Sequence, residues 1–368
     1  MPAATLAATP SDLLAEVGRI VDADLAPLVR RIDQEGLYPE AVLRALGAAG
    51  AFAAHAAGPG GRPGRLAPAI AAMARVGREC LSTAFCTWCQ DALVWYLVST
   101  GNDALRDRLL GPAARGERLG GTGLSNPLKA LSGIEPLRLS AEAVNGGYVV
   151  RGQLPWVSNL GPGHLFGTIF EVASGRRVMA LVDCAWEGVK LGEVGFVALD
   201  GTRTYSVLFK DVFVPDDHVL ADPAEPFVAR IRPGFILLQA GMALGLIRGC
   251  LDIMEQSDRT LEHVNRYLPD RPEAIRETLD ALTREVEALA ASPYEQAPEH
   301  RRRLLQARLA AGEASLRAAN AAMLHAGARG YVRNGAAQRR LREAYFIAIV
   351  TPALKHLRKE LAADEDAA

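Results

Sequence analysis

From Asp12 to about Arg115 the apolar residues return at steps of three and four, as in LLAEVGRIVDADLAPLV and PEAVLRALGAAGAFAAH. That spacing lines one face of a 3.6-residue helix and predicts an all-helical first third. Pro39 falls where a first-turn proline would, and PGGRPGR (Pro59–Arg65) reads as a loop between helices. The stretch from Ser82 to Thr100, STAFCTWCQDALVWYLVST, is apolar nearly all round, which predicts a helix buried in the middle of its domain. Near Gly120 the period changes. Short β-branched and aromatic runs, GYVVRGQL, HLFGTIFEVA, RRVMALVDC and TYSVLFKDVFVP, continue to about Asp222, separated by Asn145–Gly147, Ser174–Gly175 and WEGVKLGEVG. They predict an antiparallel β domain, a barrel or a sandwich. After Pro233 the helical period returns in four long segments, which suggests a four-helix bundle, and the acidic tail ADEDAA reads as a frayed end. The expected fold class is α+β and multidomain: a helical domain over residues 1–118, a β domain over 119–226 and a bundle over 227–368.

Composition narrows the partners. Lys and Arg total 41 against 42 Asp and Glu, so no strong positive field is available for nucleic acid. The N-terminal residues lack a basic segment followed by an apolar one, and no run approaches the roughly 18 apolar residues of a membrane span; a cytosolic protein is expected. Five cysteines fit reduced thiols better than a disulfide framework. Cys86 and Cys89 form a CxxC, but with no second pair or neighbouring histidines they read as small buried side chains on a helix. The β region shows no strand–helix–strand alternation and no GxGxxG, which argues against a Rossmann dinucleotide fold.

Four segments at the joints of this plan carry candidate chemistry: GERLGGTGLSNP (Gly116–Pro127), LPWVSN preceded by GGYVVRGQ, ALDGTRTYSVLFKDVFVPDDHVL (Ala198–Leu220) and HAGARGYVRNGAAQRRLREAY (His325–Tyr345). In this order they resemble the acyl-CoA dehydrogenase superfamily over essentially the whole chain. The resemblance implies FAD, its isoalloxazine ring between the β domain and the bundle. Trp156 would then wall the ring, Ser158 would reach its polar edge, Ser125 would take the place of the family's flavin-bonding threonine, Leu124 would act through its backbone and Thr122 would make a further contact. Gly327 and Gly330 would meet the dinucleotide arm of FAD on a neighbouring subunit, implying a homodimer or homotetramer. A flavin taking up a hydride gains negative charge and a demand for a proton, which fixed donors and a dry aromatic wall serve. Without the resemblance, Trp156 is equally a core or interface residue, Ser125 and Ser158 are turn hydroxyls, and the glycines end a helix.

The chain also departs from the family pattern. The family's base is a glutamate in a Glu-Gly-Thr triplet after an Arg-Asp-Ala run; here the run is Arg342-Glu343-Ala344, and Thr351 and Pro352 fall in the triplet. The alternative glutamate position matches Phe235, with Ile236 where an arginine often sits. The Gly-Ser-Asp that meets the CoA arm is replaced by LKALSG, leaving only Ser132, and the segment that grips the pyrophosphate is altered between Arg259 and Arg271. Glu135, Asp91 and His164 lie near the motifs, and none is assigned as base. Three functions stay open: α,β-dehydrogenation of a CoA- or carrier-bound acyl thioester with a relocated or missing base, delivering electrons to an acceptor; a monooxygenase using reduced flavin and O2, with which Pro352 is compatible; and an inactive scaffold of the same fold.

Overall fold

The computed structural model describes residues 9–56 and 65–366. The expected loop at Pro59–Arg65 therefore falls, except for Arg65, outside the described residues. Six helices lead the chain: α1 (Pro10–Ile20), α2 (Val29–Gln34), α3 (Glu40–Ala48), α4 (Leu66–Glu79), α5 (Leu81–Ser99) and α6 (Asp103–Ala114). α1 begins with a capping box in which Thr9 Oγ1 accepts from Asp12 N (3.2 Å) and the Asp12 carboxylate accepts from Thr9 N (3.2 Å). Pro39 is the residue before α3 rather than one within its first turn. α5 is buried on every side, as its uniform apolarity requires, and carries Cys86 and Cys89 into the core.

Eight strands follow: β1 (Gly120–Thr122), β2 (Leu139–Val144), β3 (Gly147–Val157), β4 (Leu165–Val172), β5 (Arg177–Asp183), β6 (Val189–Glu193), β7 (Tyr205–Pro215) and β8 (Val219–Ala221). They form one sheet in the order β6-β7-β3-β2-β4-β5-β8, with β1 also on β4. The sheet is mixed, which corrects the expectation of an antiparallel domain: β1 and β2 both run parallel to β4. The β2–β3 hairpin reverses the chain, so the next strand, β4, returns in the direction of β2. A short helix, α7 (Ser125–Leu131), intervenes between β1 and β2 where the sequence reading has only strands. Strands β4 and β5 are buried on both faces. Phe166, Phe170, Val178, Ala180 and Val182 fill the sheet's own core, while Leu165, Ile169, Met179 and Leu181 join the helical core.

The C-terminal helices are α8 (Ala224–Asn265), α9 (Pro272–Ala290), α10 (Pro298–Ala326), α11 (Ala336–Ile349) and α12 (Leu354–Asp366). Two expectations change here. α8 starts ahead of Pro233 and runs through it, and the anticipated fourth helix is two, parted at Thr351–Pro352, because Pro352 has no N–H to continue the ladder. The tail is helical to Asp366, with Arg301 Nη1 holding Asp364 Oδ1 at 2.6 Å. α8 is long and apolar enough by composition to cross a membrane, yet the qualifying window is 94% buried inside the protein, against α4, α5, α9, α10 and α11. It passes Trp95 closely only because Gly234 lacks a side chain: a Cβ there would sit 2.4 Å from the indole.

α11 is anchored by charge. Arg339 Nη1 donates to Glu79 O (3.0 Å), Arg340 Nη1 to Gly77 O (3.1 Å), and both hold Glu343 at 3.0 and 2.8 Å. Glu343 in turn accepts from Leu81 N at 3.3 Å. Two guanidiniums thus meet the free carbonyls at the end of α4, and one carboxylate meets the free amide at the start of α5, each at the helix end whose partial charge favours it. Burial pushes the Glu343 carboxyl up, and the two arginines outweigh that and hold it below the ordinary range.

Candidate active site

A cleft of about 430 Å³ opens between the sheet and the helices. One wall is the half-exposed indole of Trp156 with Phe196 beside it, ring centroids 6.1 Å apart. Trp156 sits where the β3–β7 register slips between Leu154 and Val157, an irregularity of the kind that re-aims a side chain. The facing wall comes from the helices: Phe85 and Trp88 of α5, Phe235 of α8 and Phe346 of α11.

Hydroxyls rim the space between. Thr122 Oγ1 accepts from Tyr96 Oη (2.7 Å) and from Leu124 N (3.2 Å), so its own proton is uncommitted. Burial pushes the Tyr96 phenol well up, which keeps it a neutral donor. Thr202 Oγ1 donates to Leu199 O (2.7 Å), and Thr204 Oγ1 donates to Ser158 Oγ (2.7 Å), which leaves the Ser158 proton uncommitted as well. Ser125 Oγ and Thr351 Oγ1 share one bond at 3.0 Å, so one proton of that pair is free. The six serine and threonine residues all line the cleft, with Tyr96 behind them.

The chain around the motif holds these groups in place. Asn159, next to Ser158, has a left-handed φ of 63°; its Oδ1 accepts from Tyr38 Oη (2.6 Å) and its Nδ2 donates to Gly120 O (2.7 Å). One side chain thereby ties the helical domain to β1 and β3. Gly121 leaves room for Ser158 O, which an added Cβ would meet at 2.3 Å. On the far side Gln239 Nε2 donates to Thr351 O (2.8 Å) and accepts on Oε1 from Arg308 Nε (2.9 Å). Arg308 also donates to Ile347 O (2.8 Å); burial draws its pKa down to about 10, and no carboxylate pairs with it among the described residues.

Of the residues singled out in the sequence, Thr122, Ser125, Trp156 and Ser158 come together in the cleft. Leu124 does not line it: its side chain is core and its amide is bonded to Thr122. Gly327 and Gly330 lie apart, at the end of α10. Gly327 caps that helix with φ 56°, and a Cβ on Gly330 would meet those of Ala326 and Ala337 at 2.8 and 3.0 Å. Phe235, at the family's alternative glutamate position, and Thr351, in the triplet that carries the usual one, both face the cleft. Asp91 is buried against His55 Nε2 (3.1 Å), Glu135 is held by Asn126 Nδ2 (2.9 Å), and His164 Nδ1 meets Asn159 O (2.9 Å); none of the three lines it. Thr202, Thr204 and Asn159 are additions. No sequence pattern marks them: Leu199 precedes the two threonines and Arg203 separates them, with left-handed φ of 68° and 46°, and such strained turns gather at functional sites.

The family model for the N-terminal domain of acyl-CoA dehydrogenases matches residues 9–117. Benzylmalonyl-CoA dehydrogenase of Aromatoleum aromaticum is 27% identical over 241 residues, 63% of this chain and 63% of that protein's length. The fold of butyryl-CoA dehydrogenase from Megasphaera elsdenii superposes on 98% of this chain and 99% of that one, with a TM-score of 0.84 at 18% identity. Residues 9–117 match the acyl-CoA dehydrogenase N-terminal domain, and the chain as a whole has the acyl-CoA dehydrogenase fold. A methanesulfinate monooxygenase from Pseudomonas fluorescens has the same superfamily fold, with a TM-score of 0.78 at 17% identity over 95% of each chain.

The superfamily implies a flavin, and the donor set fits one. Three uncommitted O–H groups converge on a slot with aromatic side chains on opposite sides, which suits a flat heterocycle with acceptors along one edge.

Proposed function

We propose that the chain is an FAD-dependent oxidoreductase of the acyl-CoA dehydrogenase type, acting on an acyl thioester carried by CoA or by a carrier protein. The observation that carries this is the convergence of the Thr122, Ser158 and Ser125/Thr351 hydroxyls between the Trp156 and Phe235 walls. When bound, FAD supplies a two-electron acceptor. Thr122 and Ser158 donate to its polar edge; Trp156 and Phe196 exclude water from one face, and the helical wall holds substrate on the other. Leu124 is proposed to contribute through its backbone. Gly327 and Gly330 are proposed to face the dinucleotide arm of a neighbouring subunit in a homodimer or homotetramer, a reading supported by the exposed Tyr331 and Val332 beside them. In the altered segment Arg271 has a buried Nη1 without a hydrogen-bond partner, while its Nη2 lies 3.6 Å from Asp258 Oδ2 and 3.8 Å from Glu262 Oε1.

The second reading is oxygen chemistry with reduced flavin, favoured by the cleft lining. Among the described residues lining it, Lys129 is the one charged side chain, and no carboxylate faces the space. A dehydrogenase without a positioned carboxylate forgoes assistance of about 10²–10⁴-fold in removing the α-proton. The two readings separate cleanly. Loss of the yellow colour when acyl-CoA is added to FAD-loaded protein without oxygen supports dehydrogenation. Oxygen uptake that requires both reduced flavin and an added acyl thioester supports the second. FAD-loaded protein that does neither contradicts both and leaves the inactive scaffold.

A further inference from the structure

The helical wall of the cleft is a run of four rings in contact. Phe346 meets Phe85 edge to face (4.5 Å, 65°), Phe85 stacks on Trp88 (5.6 Å, 12°), and Trp88 meets Phe235 edge to face (4.9 Å, 65°). The wall is backed by more rings. Tyr96 lies against Phe235 (6.3 Å), and Trp95 donates its indole N–H to Ile231 O (2.9 Å) while stacking on Tyr294 (4.7 Å). Trp88 is tied to the backbone of α8 through Phe235 O at 3.4 Å. The space between α5 and α8 behind the wall is therefore filled by side chains that are themselves hydrogen-bonded, and the wall cannot recede without breaking those bonds.

A surface of this kind selects by shape and by quadrupole. The backing rings close the direction through the wall, so an alkyl chain finds no channel there. An aryl ring needs a flat face and a ring edge, and the alternation of stacked and edge-on rings supplies both. We infer that the substrate carries an aryl group, seated on the Phe85–Trp88–Phe235–Phe346 wall. This rests on the reading of the cleft as the substrate side of a flavin site, and it adds the substrate class to that reading.

The test compares three pantetheine thioesters by isothermal titration, with and without FAD: 3-phenylpropanoyl, 3-cyclohexylpropanoyl, which has the same size without the π system, and octanoyl. The phenyl ligand is expected to bind about tenfold more tightly than either of the others. Phe346→Leu, at the less buried end of the wall, is expected to remove most of that preference while leaving FAD uptake unchanged. Equal affinity for the phenyl and cyclohexyl ligands, tighter binding of octanoyl, or no binding of the phenyl ligand overturns the inference. FAD uptake is read separately from the visible spectrum. Phenyl preference in a protein that takes up no FAD defeats the flavin reading alone, and FAD uptake without phenyl preference defeats the substrate class alone.

Discussion

Replacing Glu343 with alanine is expected to destabilise the protein by about 3–5 kcal/mol, because it strands two buried cations. The carboxylate is 2% exposed and neutralises Arg339 and Arg340, both buried at the α4–α5 joint. α11 carries Phe346 and Ile349 to the cleft, and the turn after it carries Val350 and Thr351, so the loss loosens the site as well as the fold. Urea denaturation at neutral pH measures it. The pH dependence has a definite sign. The folded carboxyl titrates below its unfolded value, so its contribution is complete above about pH 4.3 and drains away as pH falls further. The stability difference between wild type and Glu343→Ala should therefore shrink on acidification and hold constant between neutral and mildly alkaline pH. A difference that grows as pH falls would show that the clamp is not electrostatic.

Replacing Thr351 with glutamate is expected to raise the rate at which an acyl thioester bleaches FAD-loaded protein by about 10²–10⁴-fold. Thr351 is 7% exposed and lines a cleft whose lining is mostly apolar, so a carboxyl placed there is desolvated and its pKa rises toward the working range of a base. Ser125 Oγ, now 3.0 Å from Thr351 Oγ1, is available to orient it. Thr351→Gln is the control: it matches the glutamate in size and cannot accept the proton as a base. Anaerobic stopped-flow absorbance reads the rate. If Thr351→Glu takes up FAD and bleaches no faster than Thr351→Gln, the α-carbon is not presented to this position.

How much of this was legible in the chain depends on the range of the interaction. The burial of α5 could be read from Ser82–Thr100 alone, because a helix apolar on all sides has only one stable environment. The mixed sheet was not legible: β1 and β2 reach the same edge of β4 through register contacts that hydrophobic alternation does not encode. Pro233 was read as a boundary, although a helix as heavily packed as α8 tolerates it; Pro352, in a less buried segment, does end α11. In the cleft, Trp156, Ser158, Ser125 and Thr122 were found through the motifs they sit in. Thr202, Thr204 and Asn159 were not, because their roles depend on left-handed turns and on partners as distant as Tyr38. The aromatic wall is hidden for the same reason: its rings come from three helices, Phe85, Trp88 and Phe346 each read singly as core, and Phe235 stands out only by its place at the family's alternative glutamate position.

The most direct measurement for the central claim, that the cleft between sheet and helices holds the isoalloxazine ring, is the equilibrium titration of the purified protein with FAD. It should be run on wild type, Trp156→Ala and Ser158→Ala, with visible absorbance and tryptophan fluorescence recorded together. One FAD per chain is expected, with quenched fluorescence, and with affinity lowered about tenfold or more by Trp156→Ala. A protein that stays colourless at saturating FAD, or one that binds it equally well after both substitutions, contradicts the account.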